Sequence, residues 1–358
     1  MNGVESGKPL APLTTIGLGG SARYYAVARD RHSLQELLAW SRSRGLPVWV
    51  LSGGSNIVVS DSNLEGLVLD IQLRGTKFER ESSDRIAVTV AAGEGWDDFV
   101  NEAVSRGYSG IECLSGIPGR VGATPIQNVG AYGQEVSRTI RSVDVIDCST
   151  GEFLRLEASE CNFGYRTSRF KQADLNRHIV VSVSFSLSEG LPEIPSHREL
   201  LQKLKTNPQP TAQEARNAVL GLRRAKSMVV DDSDPSSRSC GSFFVNPVVL
   251  APIAEAIRER YLDEQAPIYR QPENNAKIAA AWLIEKAGFN KGDRDGLVGI
   301  SEMHSLAIVT RPGATARDVV GFARKIQRRV HEQFGIWLVP EPIFWGFERM
   351  ERGLPILD

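Results

Sequence analysis

The chain has 358 residues, 41% hydrophobic and 24% charged, which excludes a disordered polymer and leaves apolar residues for more than one core. Lys and Arg number 42 against 43 Asp and Glu, a net charge of −1, so no chain-wide basic footprint marks it as a nucleic-acid binder. No apolar run reaches the ~18 residues of a membrane span, and MNGVESGKPL lacks the basic-then-apolar order of a secretory leader, so no membrane association is expected.

A strand is expected at 23–28 (RYYAVA), then a helix opened at Ser33 by an SLQE capping box with Glu36 and stopped at Gly45. PVWVL at 47–51 is an apolar strand. It runs into Ser52-Gly53-Gly54-Ser55-Asn56 and then into strand-like IVVS and GLVLDI. These glycines join strand to strand, whereas a dinucleotide fingerprint or a P-loop needs glycines that open a helix. Residues 85–92 read as a strand, followed by a helix in which Trp96, Phe99, Val100, Ala103 and Val104 recur at helical spacing up to Gly107. The segment 115–133 has glycines at 116, 119, 122, 130 and 133 and no helix or strand period. Residues 143–157 read as a hairpin about Ser149-Thr150-Gly151, and Val181, Val183, Phe185 and Leu187 alternate with serines along a half-buried strand. Residues 188–213 form a Pro-rich junction with a short helix. The TAQE box then starts a helix over 211–225, and 231–240 is a polar loop. Beyond it the pattern predicts helices over 275–287 and 315–334, ending at Gly288 and Gly335. SLAIVT is a strand between them, and IWLVPEPIFWG is a closing strand broken by Pro-Glu-Pro.

The cysteines Cys113, Cys148, Cys161 and Cys240 form no CxxC, and the five histidines form no HxxH or HExxH. Reduced thiols are expected and a transition-metal enzyme is not. The residues by themselves leave the site readings open. Five glycines within 18 residues, among Ser115, Thr124, Gln127 and Asn128, suit a backbone that cradles an anion, as does Ser52–Asn56. Two such loops fit a ligand with a diphosphate, such as a dinucleotide. Arg166 reads as a carboxylate or phosphate fork or as a surface arginine beside Tyr165. Ser242, in GSFF, has no GxSxG context, so on its own it reads as a strand-edge serine. Glu341, between Pro340 and Pro342, sits on stiff backbone and either orients an acid or ends a strand.

Together, TTIGLGG (14–20), LSGGSN (51–56), GIPGRVGATPIQNVGAYG (116–133), GYRTSRF (164–170), GSFFVNP (241–247), AAAWLIEKAG (279–288) and WLVPEP (337–342) resemble the UDP-N-acetylenolpyruvoylglucosamine reductase family. The resemblance runs from about Thr14 to Gly346. It implies an α+β protein. A two-lobed FAD-binding module of the vanillyl-alcohol-oxidase type comes first (lobes 1–74 and 75–225, with a UDP-covering loop near 190–210). A C-terminal substrate-binding domain follows (226–358), its tail returning to the active site. It implies a bacterial cytoplasmic monomer that uses NADPH and non-covalent FAD to reduce UDP-N-acetylglucosamine enolpyruvate to UDP-N-acetylmuramate. In that reaction a hydride passes from flavin N5 to C3 and a proton reaches C2. By position in the family motifs, Arg166 stabilises the enolate, Glu341 assists it, through a raised pKa or a pairing with Arg166, and Ser242 donates the proton.

The implied FAD contacts are Ser52, Gly53, Gly54, Ser55, Asn56, Ser115, Gly116, Ile117, Pro118, Gly119, Gly122, Ala123, Gln127, Asn128, Gly130, Ala131 and Tyr132. The implied substrate contacts are Tyr165, Arg166, His197, Lys226, Asn246 and His304, and no metal is implied. Loops 52–56 and 115–133 hold no His or Cys to tether a flavin. The chain departs from the family at several points. No tyrosine lies between Tyr165 and Tyr261, where the family's loop tyrosine falls, and His197 is the nearest match, either a nucleotide contact or a surface histidine. Ser227-Met228 replaces Leu-Pro after Lys226, the 228–239 loop is longer, Val245 replaces a lysine and Ala123 a glycine. An FAD-linked sugar or alcohol oxidase and a nucleotide-sugar binder without chemistry are the rival readings.

Overall fold

The computed structural model describes residues 3–205, 207, 209–262 and 266–357. Thr206 and Pro208 of the junction lie outside the described residues. The chain forms two compact units. One is Met1–Lys8, Ala22–Gly54 and Glu65–Val229; the other is Pro9–Ser21, Ser55–Leu64 and Val230–Asp358.

In the first unit, strands Val4–Pro9, Ser21–Ala28, Leu64–Ile71 and Val48–Leu51 make a four-stranded sheet in that order. The last two pair in parallel, Val48 opposite Leu67, which requires a crossover, and helix α1 (Arg31–Arg42) precedes the second of them. A six-stranded antiparallel sheet is built on the long strand His178–Glu189, flanked by Ile140–Asp147 and Arg85–Ala91. Helix α2 (Trp96–Ser105) packs on it through Trp96 and Phe99, whose rings lie 6.1 and 5.2 Å from that of Phe185. Leu34 and Leu38 of α1, Leu67 and Leu69, Val88 and Val90, Trp96 and Phe185 are all buried in one cluster, so both sheets share a core. After α3 (Arg198–Lys203), α4 (Ala212–Arg224) buries Ala215 and Val219.

The second unit contains α5 (Ala251–Arg260), α6 (Ala280–Lys286) and α7 (Ala316–Phe334) with short antiparallel strands. Two segments from the N-terminal part complete it. Strand Ile57–Val59 pairs in parallel with Ile343–Trp345, and Ile16, Leu18 and Val58 are buried among Phe243, Phe244, Phe322 and Ile326. No described helix is long and apolar enough to cross a membrane.

The α+β class is the one expected, and several local readings need correction. Helix α1 is capped by Asp30, with Ser33 at the third helical position. Asp30 accepts from the Ser33 amide at 2.7 Å, so the SLQE box does not open it. Asn275–Ile278 is a strand paired with Ile268–Gln271, and the helix expected from 275 starts at Ala280. Ile336 and Leu338 are buried without strand pairing, leaving Ile343–Trp345 as the strand of that segment. The chain also continues past it into paired strands Met350–Glu351 and Leu354–Pro355.

Candidate active site

In the first unit the two glycine loops touch. Gly53 has φ +90°, and a Cβ built on it would stand 2.9 Å from the Gly119 Cα, so only glycine permits this approach. The second loop is held from below. The Trp96 amide donates to the Gly119 carbonyl at 3.0 Å, the Gly122 amide to Ala92 at 3.0 Å, and the Gly116 amide to the Asp97 carboxylate at 2.6 Å. Ala123 sits in a 3-10 turn, Val121–Ala123, and is not among the left-handed residues, so alanine fits there without strain. Arg120 is paired with Asp70, which also accepts from the Tyr25 hydroxyl at 2.8 Å. The Ser52 Oγ is buried without a hydrogen-bond partner. A loop pair that brings backbone to within van der Waals contact and holds an orphaned hydroxyl fits a diphosphate-bearing group such as FAD.

Farther along, Asn128 (φ +48°) spends its side chain on structure. Its Nδ2 donates to Glu135 at 2.9 Å and to the Gly164 carbonyl at 3.0 Å, and its Oδ1 accepts from the Ser137 amide at 3.1 Å. This ties the Gly130 region to the turn Gly164–Thr167, whose third residue is Arg166. Arg166 has φ +54°, rare for a non-glycine residue, and its Nη2 donates to the Gly130 carbonyl at 2.7 Å. Its guanidinium lies 5.6 Å from the Tyr165 ring centroid. A strained arginine fixed by the glycine loop is better organised than a loose surface cation, and such strain concentrates at working sites. His197 precedes α3 with its ring 5.0 Å from that of Tyr132, edge to face. Burial pushes its imidazole below the ordinary value. Lys226 is ion-paired with Glu199 of α3.

In the second unit the sequence GSFFVNP runs beside VPEP. The Glu341 amide donates to the Phe243 carbonyl at 2.8 Å, and the Val245 amide to Val339 at 3.0 Å. Phe244 faces Pro340 in an antiparallel bridge. Glu341 is therefore opposite Phe243 and one register step from Ser242; Ser242 and Glu341 are both half-buried, and Phe243 and Phe244 are buried. Asn56 pins the same segment: its Nδ2 donates to the Glu341 carbonyl at 3.3 Å, and its own carbonyl accepts from the Ile343 amide at 3.0 Å. The Cys240 thiol, two residues before Ser242, is pushed up to about 12 by burial, so it stays protonated and no nucleophile. Asn246 accepts from the Ala280 amide at 2.9 Å and so caps α6, while the His304 Nδ1 accepts from the Leu306 amide at 3.0 Å.

The sequence reading groups Arg166, Ser242 and Glu341 as the catalytic trio and gives Asn56 to the cofactor; the structure places Ser242 and Glu341 on adjoining segments of the second unit, with Asn56 bonded to the Glu341 segment. Arg166, Tyr165, His197, Lys226, Ser52 and Gly53 belong to the other unit. What the sequence reading missed is the arginine pair of α4, Arg216 and Arg223, 6% and 8% exposed. The signal was present: both fall on the face that carries Ala212, Ala215 and Val219, where a charge requires a buried partner. Arg216 has one, donating to both Asp97 oxygens at 2.6 and 2.9 Å.

A family model described as UDP-N-acetylenolpyruvoylglucosamine reductase, C-terminal domain, matches residues 234–345, and one described as an FAD binding domain matches 22–157. The UDP-N-acetylenolpyruvoylglucosamine reductase of Thermobifida fusca is 44% identical over 350 residues, covering 94% of this chain and 97% of that protein. That of Salinispora arenicola is 44% identical over 342 residues, covering 93% of each. The crystal structure of UDP-N-acetylenolpyruvylglucosamine reductase from Thermus caldophilus aligns with a TM-score of 0.62 at 26% identity, over 96% of this chain and 98% of that one.

Proposed function

The chain belongs to the UDP-N-acetylenolpyruvoylglucosamine reductase family, whose members are oxidoreductases of peptidoglycan synthesis, and on that premise we propose the reaction and the roles of its residues. The substrate is UDP-N-acetylglucosamine enolpyruvate, the product UDP-N-acetylmuramate, and the reductant NADPH. The FAD is non-covalent, since loops 52–56 and 115–133 offer no His or Cys for a tether. The enzyme works as a cytoplasmic monomer, with FAD lobes drawn from 1–74 and 75–225 and a substrate domain from 226–358, to which 9–21 and 55–64 contribute.

The chemistry a bound FAD would supply is the passage of two electrons from NADPH to C3 of the enolpyruvyl group as a hydride. Ser52–Asn56, Ser115–Gly119, Gly122, Ala123, Gln127, Asn128 and Gly130–Tyr132 would hold the FAD. The chain's own task is then at C2. Negative charge gathers there and on the adjoining carboxylate, and a fixed guanidinium meets it more effectively than water. Arg166 takes that role, set in place by Gly130. The Ser242 Oγ gives its proton to C2 and regains one from solvent, with Glu341 beside it in the delivery. The C=C bond becomes CH–CH3, NADPH becomes NADP+, and one proton is consumed. Tyr165, His197, Lys226, Asn246 and His304 are assigned to the sugar nucleotide.

The observation that supports this reading is the antiparallel run of GSFFVNP beside VPEP, Glu341 N to Phe243 O at 2.8 Å, which leaves Ser242 one register step from Glu341. Stopped flow under anaerobic conditions tests it. NADPH should bleach the yellow protein, and the enolpyruvyl sugar should restore the colour. Ser242→Ala should leave bleaching intact and slow recolouring by ~10²–10⁴-fold. Equal slowing of both phases removes Ser242 from the proton step. Bleaching by an alcohol with recolouring by oxygen makes the protein an oxidase instead.

A further inference from the structure

Helix α4 places two arginines seven positions apart on its buried side, and only the first has a carboxylate. Arg216 is matched by the Asp97 fork. Arg223 is 8% exposed and has no carboxylate within ion-pair distance among the described residues. Its Nη2 donates to the Met228 carbonyl at 2.7 Å. Its Nε is buried with no partner, and its Nη1 makes no hydrogen bond yet is not sealed from solvent. Burial works against the charge, and of the neighbours that act on it only Asp97 carries a negative charge. A guanidinium does not shed its proton in a protein, so the cost of burying it stands until an anion is beside it.

The neighbourhood says where that anion comes. A Cβ built on Gly116, at φ +71°, would stand 3.3 Å from the Arg223 Nε and 2.8 Å from Leu220. The Gly116 amide is itself fixed by Asp97, the partner of Arg216. The unpaired guanidinium thus lies against the start of the glycine loop, inside the stretch matched by the FAD-binding model. Backbone amides of such loops bind oxyanions, and a buried guanidinium adds directional charge to them.

We infer that Arg223 is a nucleotide-recognition residue whose Nη1 pairs with a diphosphate oxygen beside the glycine loop that begins at Gly116. The inference rests on the proposed function, in which FAD, the UDP-sugar and NADPH each carry a diphosphate, and it assigns the pairing to that of FAD or of the UDP-sugar. Arg223→Met removes the charge, Arg223→Gln keeps a donor for Met228, Arg223→Lys keeps the charge, and Arg224→Met, at the exposed neighbour, is the control. One arm measures the rate at which FAD leaves the diluted holoenzyme, from the rise of free-flavin fluorescence. The other titrates UDP into the holoenzyme by calorimetry.

Arg223→Met should weaken one arm by roughly 10- to 100-fold, the worth of a charge-assisted hydrogen bond. Arg223→Lys should recover part of the loss, and Arg224→Met should change neither arm. A change in FAD release assigns the cofactor diphosphate, and a change in UDP affinity assigns the substrate. Wild-type values in both arms for folded Arg223→Met overturn the inference. Where that variant does not fold, wild-type values for Arg223→Gln do so. A wild-type protein that binds neither FAD nor UDP overturns the functional reading instead.

Discussion

Gly53 shows how a single backbone conformation can carry a binding loop. Its φ of +90° costs any other residue about 1–2 kcal/mol, and the added methyl would press on the Gly119 Cα at 2.9 Å, where backbone must move. Gly53→Ala is expected to lower the urea midpoint and to release FAD from the purified protein, both readable on one sample. Asp97 carries the second argument at this scale. Burial alone would raise its pKa, but the Arg216 fork, the Gly116 amide and the Arg216 charge lower it further than burial raises it. The folded value then lies below the unfolded one, so its contribution is complete above the ordinary Asp range of about 4 and is lost as pH falls through the depressed folded value. Acid unfolding curves of wild type and Asp97→Asn should therefore converge at low pH and separate above that range. The neutral-pH gap should sit toward the low end of the ~3–5 kcal/mol for breaking a buried pair, because the Asp97 side chain is 37% exposed. Of this, the glycines were legible in the sequence. The Asp97–Arg216 pair was not, because its members stand 119 residues apart.

Helix caps mark the limit of what local sequence discloses about elements. The TAQE box of α4 was readable because Thr211 and Glu214 satisfy each other within one turn. The same holds for Thr315 and Asp318 of α7, and for Gly335, which ends α7 at φ +69°. The start of α1 was misread because Ser33 offers the right chemistry three residues late, after Asp30 has already capped the helix. In the segment 275–287 only the start was misread: α6 forms over Ala280–Lys286, while the apolar content of Asn275–Ile278 fits either period over so short a run, and pairing with Ile268–Gln271 decided for strand. α7 also has a cap no local rule finds. Asp61 accepts from the Ala316 and Arg317 amides at 2.7 and 3.1 Å, across 255 residues. Asp61→Ala should cost ~1 kcal/mol, as for other N-caps, and Thr315→Ala a similar amount. Chemical denaturation of the single and double variants checks this, with a sum beyond additivity expected because both caps serve the same first turn.

The whole chain passes between its two units five times, and the C-terminal unit is incomplete without what it receives from 9–21 and 55–64. This was the least legible feature. TTIGLGG and the strand after Asn56 read as parts of the N-terminal lobe because the sequence places them there. The strand after Asn56 is paired with Ile343–Trp345, nearly 300 residues away, and Ile16 and Leu18 are buried in the core of the C-terminal unit. The consequence is energetic. A fragment of residues 230–358 loses Ile16, Leu18 and Val58, which are 0%, 5% and 0% exposed, along with the strand beside Ile343–Trp345 and the Asp61 cap. Three buried aliphatic side chains at about 1.5–3 kcal/mol each already approach the ~5–15 kcal/mol that holds a domain folded. The fragment, although it contains Ser242, Glu341 and the whole matched C-terminal family region, should therefore bind the dye ANS and unfold without a cooperative urea transition. Adding back 55–64 as a covalently joined strand should restore part of that cooperativity. A fragment with a sharp transition and no dye binding would show that the C-terminal unit stabilises itself and that the two inserted segments serve the loop at Asn56 alone.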